Sequence, residues 1–111
     1  MCSSDLALRY HPGKDFAPVV VARGRDEIAL AIRELGASKN VPVLRYPELA
    51  RAVYFTSRAG EIVNEQLYMA VATVLAFVFR VESRLQSAAD MPNITVPADL
   101  RFDADGKKMV N

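Results

Sequence analysis

Few residues in this chain have side chains suited to catalysis, and their spacing does not gather them. The lone cysteine is Cys2 and the lone histidine is His11. A thiol nucleophile needs a base beside it and a third group to orient that base. A terminal Cys and a His in the Pro/Gly-bearing stretch "HPGKDFAP" offer neither. One Cys and one His also fall short of the ligand set of a zinc site. The acidic pairs are Asp26 with Glu27 and Asp103 with Asp105. The first suits the positive end of a helix and the second a solvated segment, so neither reads as acid–base machinery. The turn "RGRD" stands where a phosphate loop would stand, yet it matches neither GxGxxG nor GxxxxGK[ST]. No catalytic, cofactor-binding or metal-binding residue is assigned, and no cofactor is expected. Binding is the remaining chemistry, and it depends on which apolar surfaces the elements leave uncovered.

Composition sets the frame for those elements. The 111 residues suit one domain with a tail, and 51% of them are hydrophobic. A formal charge of +1 with scattered arginines argues against a nucleic-acid surface. One cysteine makes no internal disulfide, so a reducing compartment is the default. Residues 1–15 lack the apolar core of a signal peptide. The longest apolar run, Leu67 to Phe79, is shorter than the roughly 20 residues a bilayer-spanning helix needs.

Periodicity then places the elements. "LALRY" alternates as a strand does. "VVVA", Val19 to Ala22, reads as a strand buried on both faces and broken by Gly24. In "RDEIALAIRELGASKN" the stripe Ile28, Ile32, Leu35 predicts an amphipathic helix, with Asn40 as a left-handed cap. "VPVL", Val41 to Leu44, completes a βαβ unit, so its strand should run parallel to the Val19 strand. Pro47 and Glu48 open a second helix with Leu49, Ala52 and Val53 inward, and Arg51, one turn after Glu48, is placed either to pair with it or to cap the sheet edge. Asn64 caps a third helix.

That third helix is apolar on more than one side. Leu67, Val71, Val74 and Val78 form one stripe, and Tyr68, Ala72, Leu75 and Phe79 form another. The pattern alone leaves two readings open: a helix buried nearly all round, or one whose second stripe is an exposed docking patch. After Glu82 the periodicity fades. Residues 83–111 read as a helix end, reaching about Ala88, followed by a mostly disordered tail.

The order of these segments resembles one family closely. "AP-VVVARG", "IALAIRELG", "VPVL", "YPELARAVY" and "LYMAVATVLAFVFRV" are similar to the cytoplasmic domain of the FlhB/YscU family of type III export switch proteins. The resemblance runs from about Ala7 to Val81, and its "VLAFVF" ending points to the flagellar branch rather than the injectisome branch. It implies an α/β fold: a small mixed sheet, about three strands here and four in the intact domain, flanked by three to four helices. Residues 1–82 would form that domain and 83–111 the helix end and flexible tail. It implies a docking and substrate-specificity switch role at the cytoplasmic face of the bacterial inner membrane. The partners would be rod and hook-type export subunits and other export-apparatus proteins, not nucleic acid. The parent protein would be membrane-embedded through a preceding region. Ala17, Pro18, Ala72 and Leu75 match the family's substrate-facing apolar patch.

The same family cleaves itself at an Asn-Pro-Thr-His motif ahead of the strand that here reads "LALRY". Counted back along that strand, Pro, Thr and His fall on Met1, Cys2 and Ser3, so the motif is absent from this sequence. "MCSSDL" departs from the family and reads as foreign sequence over residues 1–6, the alternative being a natural protein that has lost the motif. Loss of the strand ahead of the motif is expected to leave a sheet edge unpaired and the fragment less stable than the intact domain.

Overall fold

The computed structural model describes residues 4–11, 13–83, 90–103 and 105–109. Its elements are β1 (Ser4–Arg9), β2 (Val19–Arg25), α1 (Asp26–Ser38), α2 (Pro47–Thr56) and α3 (Tyr68–Glu82), an α/β arrangement. The two strands pair antiparallel, with Leu6 opposite Arg23, Ala7 opposite Ala22 and Leu8 opposite Val20. A bulge at Val21 shifts the register there. Strand side chains alternate, so the bulge keeps Val20 and Arg23 on one face. Leu6, Leu8 and Val20 join the main core on that face. Arg23 reaches over to α2, where it donates to the Tyr54 carbonyl and lies 4.5 Å from the Tyr54 ring. The opposite face carries Asp5, Ala7, Ala22 and Gly24 and receives α1, tied to β1 by an Arg33–Asp5 ion pair of 3.4 Å.

The core lies between the sheet, α2 and α3. Leu49, Ala52 and Val53 are buried as their spacing predicts, and they pack with Val63, Leu67 and Val71. Burying each larger chain of this kind contributes about 1.5–3 kcal/mol. The expected caps also form. Asn40 has φ 58, and the Asn64 side chain accepts from the Gln66 N–H at the 3₁₀ turn Glu65–Leu67 that leads into α3.

Four expectations are corrected. The Val41–Leu44 segment is not a strand and no parallel βαβ unit forms. Its Val41 N–H folds back to the Gly36 carbonyl at 2.9 Å, Pro42 has no N–H to give a ladder, and Val41 and Val43 are exposed. The free edge of β2 pairs instead with residues 60–63, through Val20 N–H to the Glu61 carbonyl at 2.8 Å and Gly60 N–H to the Val20 carbonyl at 2.6 Å. β2 is not buried on both faces, since Val21 is exposed, and Gly24 does not end it. The Ile28–Leu35 stripe of α1 is not the inward one: Ala29 is fully buried while Ile28 is 61% and Leu35 59% exposed. Arg51 donates to the Phe102 carbonyl at 2.8 Å rather than pairing with Glu48.

Residues 90–103 also depart from the expected disordered tail. Val96, Leu100 and Phe102 are buried in the main core, and the Tyr46 hydroxyl donates to the Pro92 carbonyl at 2.8 Å. The segment has no helical period because its regular structure is a single 3₁₀ turn at Ala98–Leu100, and it is anchored at the irregularly spaced Val96, Leu100 and Phe102. α3 ends at Glu82, and the expected helical continuation to Ala88 falls on residues 84–89, outside the described ones.

Candidate functional site

The connection from β1 to β2 brings Ala17 and Pro18 to α3. After Arg9 the chain turns on the His11 carbonyl, which accepts from the N–H groups of Lys14 at 3.0 Å and Asp15 at 2.9 Å. Gly13 has φ 84, a conformation that an L side chain resists. The Asp15 carboxylate closes the turn. It accepts from the His11 backbone N–H at 2.8 Å and from Arg9 at 3.3 and 3.4 Å. The His11 N–H bond holds its pKa below the usual carboxylate range, partial burial opposes it, and the Arg9 guanidinium adds to the lowering. Beyond the turn Ala17 is 3% exposed, and the Pro18 carbonyl accepts from Val63 N–H at 3.0 Å. That bond pins the loop beside the start of α3.

α3 meets the loop with its second stripe. Tyr68, Ala72, Leu75 and Phe79 recur at helical spacing on one face, and Leu67, Ala70, Val71 and Phe77 carry the burial. Between loop and helix lies a groove of about 290 Å³. Ala17 and Pro18 line one side, and Ala72 and Leu75 the other. All four residues named from the sequence therefore meet in one groove, although the two pairs lie far apart in the chain. The second stripe of α3 is partly open: Ala72 and Phe79 are exposed, while Tyr68 and Leu75 are half-buried against the core.

Five further residues complete the lining: Tyr10, Phe16, Tyr68, Ala76 and Phe79. Tyr68 and Phe79 were legible in the stripe. Tyr10 and Phe16 were not singled out, though both flank the loop that carries the Ala-Pro pair. The lining combines small or compact side chains, Ala17, Pro18, Ala72 and Ala76, with four aromatic ones. Among the described residues no charged side chain lines the groove, and the side-chain polarity of its lining is that of the two tyrosine hydroxyls. Such a surface can desolvate an apolar side chain, but it holds no acid, base or nucleophile to act on one.

Elsewhere, a second hollow of about 210 Å³ lies between Tyr46 to Leu49 and residues 93–96. Among the described residues no group of three or more His, Cys, Asp or Glu gathers as a metal site, and no helix is long and apolar enough to cross a membrane.

Comparison with known proteins adds the lineage. The model of the FlhB HrpN YscU SpaS family matches residues 5–78. The chain is 43% identical over 101 residues to the flagellar biosynthetic protein FlhB of Escherichia coli K12, covering 87% of this chain and 26% of that protein. It is 47% identical over 73 residues to the FlhB of Aquifex aeolicus, covering 66% of this chain and 21% of that one. The chain thus spans about a quarter of the length of the curated relatives it matches. Among solved structures it is similar to the cytoplasmic domain of FlhB from Shewanella putrefaciens, with TM-score 0.78 and 32% identity over 90% of this chain and 81% of that one. The PscU C-terminal domain gives TM-score 0.66 and 28% identity, covering 68% of this chain and 96% of that one.

Proposed function

The chain belongs to the FlhB HrpN YscU SpaS family, and from that premise we propose that it is a docking and substrate-specificity switch domain of a flagellar type III export gate. It works at the cytoplasmic face of the inner membrane, as part of a longer, membrane-embedded parent. Its task is to bind rather than to catalyse: it captures an apolar export signal from rod and hook-type subunits and hands it to other export-apparatus proteins.

One observation carries this reading. Ala17, Pro18, Ala72 and Leu75 line a single uncharged groove, small enough to grip one apolar segment and shallow enough to release it. A gate must let go of its cargo, and a small apolar contact suits a transient partner. Flagellar relatives at 43–47% identity favour the flagellar branch over the injectisome branch, whose PscU domain is 28% identical.

The test is a double substitution, Ala72→Asp with Leu75→Asp. A carboxylate buried without a partner is strongly disfavoured, so capture of hook-type subunits in a pulldown should vanish. Circular dichroism should not change, because Ala72 is exposed and Leu75 is only partly buried. Undiminished capture would refute the docking role.

A further inference from the structure

We propose that α1 carries a second, separate docking face: an apolar stripe with an acidic edge that takes one basic amphipathic helix of a partner polypeptide. This face goes beyond the export role proposed above and shares no residue with the groove.

The stripe consists of large apolar side chains left in water. Ile28, Leu35, Val41 and Val43 are each more than half exposed. Ile28 and Leu35 stand on α1, with the half-buried Ile32 between them. Val41 and Val43 reach the same helix because the chain folds back at Asn40, where the Val41 N–H donates to the Gly36 carbonyl at 2.9 Å. A Cβ on Gly36 would lie 3.8 Å from Val43 Cγ2 and 3.9 Å from Val41 Cβ. The two valines therefore sit against the turn of α1 that carries Leu35. A run of exposed apolar residues along one element marks an interaction surface more readily than the same residues scattered singly.

Spacing and charge name the occupant. Ile28 and Leu35 are seven residues apart, and so are Glu27 and Glu34, each directly ahead of its apolar neighbour. Seven residues are close to two helical turns, so the two pairs stack on one side of α1 as core and flanking positions of a heptad do. Both glutamates are exposed, and among the described residues neither enters an ion pair. Arg33, the only basic residue of α1, is drawn to Asp5 on β1 at 3.4 Å. The free edge of the stripe is therefore acidic. A helix with one apolar stripe and Lys or Arg beside it gains both burial and charge pairing on this face. A second copy of the chain laid antiparallel would set two rows of glutamates against each other, and an acidic helix would meet the same repulsion. The face is short, so the complex should be weak, and salt should weaken it further.

The experiment titrates the ¹⁵N-labelled chain with a helical peptide of three heptads that has Leu at the core positions and Lys at the flanking ones, and with its counterpart that has Glu at the flanks. The Lys peptide should give saturable shifts at the amides of Glu27, Ile28, Glu34, Leu35, Val41 and Val43. The Glu peptide should bind about four- to thirtyfold more weakly, the scale of two charge pairs turned from attraction to repulsion. Glu27→Lys with Glu34→Lys should reverse that order. Glu65→Lys with Asp99→Lys, an equal change of charge at exposed positions outside α1, should preserve it. Leu35→Ala with Val43→Ala should weaken both peptides several-fold. All these side chains are exposed, so each variant should keep a dispersed spectrum, which the same titration verifies. Equal affinity of the two peptides, no binding of the Lys peptide, or an order that survives the Glu27 and Glu34 reversal would each overturn the inference. So would shifts confined to the groove beside α3, or self-association of the chain through the same α1 amides in sedimentation. Capture of hook-type subunits by the groove does not depend on α1, so either role can fail while the other stands.

Discussion

The two faces of the β1–β2 sheet are cut from the same strands and are covered in opposite ways. Toward α2 the strands offer Leu6, Leu8 and Val20, and the helix answers with Leu49, Ala52 and Val53. Residues 96, 100 and 102 close the far side, so large side chains interlock and exclude water. Toward α1 the strands offer Ala7, Ala22 and Gly24, and the helix answers with Ala29. Small against small lets the backbones approach, but little apolar area leaves water. Ile28 and Leu35 flank that narrow contact and remain outside. Hydrophobic burial scales with area removed from water, so one face stores most of the stability while the other is held mainly by fit.

That difference predicts the largest mutational effect at the sealed face. Phe102 is buried, packs against Phe55 with ring centroids 5.5 Å apart, and gives its carbonyl to Arg51. Phe102→Ala should cost about 3–5 kcal/mol, the usual range for a buried phenylalanine, seen as a lower urea midpoint with the slope preserved. Leu35→Ala at the thin face should cost no more than about 0.5 kcal/mol, since most of that side chain is already in water. A similar loss at the two sites would break the comparison. It would mean that the segment after residue 90 contributes nothing to the core, or that α1 contributes far more than its contacts indicate.

The second prediction sharpens the thin face. A Cβ added at Gly24 would lie 2.1 Å from Ile28 Cγ2, 2.7 Å from its Cβ and 3.3 Å from its carbonyl carbon. Only glycine permits α1 to sit this close, because the strand passes directly into the helix and Asp26 takes φ 52 at the junction. Gly24→Ala should therefore destabilise by about 1–3 kcal/mol, the scale of overpacking. Adding Ile28→Ala removes the Cγ2 contact and should recover part of that loss, although Ile28→Ala alone should do little. A double-mutant cycle reads the coupling. Strict additivity of the two substitutions would remove the claim that fit, rather than area, holds this face.

The same contrast explains what the sequence could and could not tell. Where burial follows period, the sequence was readable: Leu49, Ala52 and Val53 on α2, Leu67 and Val71 at the start of α3, the caps at Asn40 and Asn64; Ala70 and Phe77, buried on α3, lie in neither of its two stripes. It misled where burial follows distance. The α1 stripe has the period of a core helix, but the small side chains that set its approach are on the sheet; Ala29 is buried against them, while Ile28 touches only Gly24 beside the junction and stays mostly in water. The Val41–Leu44 run has strand composition, but strand formation is decided by an edge to pair with, and residues 60–63 occupy the edge of β2 beside Val19 and Val20. The groove was half legible. Ala72 and Leu75 stood out on a helix with apolar surface to spare, and Ala17 and Pro18 came from family resemblance. Phe16 carried no periodic signal, since a residue in a turn is placed by hydrogen bonds at Asp15 and Pro18 that no local pattern announces.

The smallest effect belongs to the turn that joins the two strands and serves neither face. Asp15 binds most strongly as a carboxylate, because the His11 N–H and the Arg9 guanidinium both stabilise its charge and keep its pKa below the roughly 3.9 of an unfolded aspartate. A depressed folded-state pKa stabilises the fold above the unfolded value and ceases to do so as pH falls through the folded one. Asp15→Asn should therefore lower the urea midpoint slightly at pH 6. The gap to the parent chain should begin to narrow as pH falls through the unfolded value of roughly 3.9 and close only below the lowered pKa of the folded carboxyl. His11 Nδ1 lies 3.7 Å from the same carboxylate, so His11→Ala with Asp15 intact separates its side chain from its backbone. The backbone N–H survives that substitution, and the gap should persist almost whole. A gap that stayed constant from pH 6 to pH 3 would mean that the Asp15 charge is irrelevant to the turn, leaving Gly13 and the Pro18 anchor to hold Phe16 at the groove by backbone geometry alone.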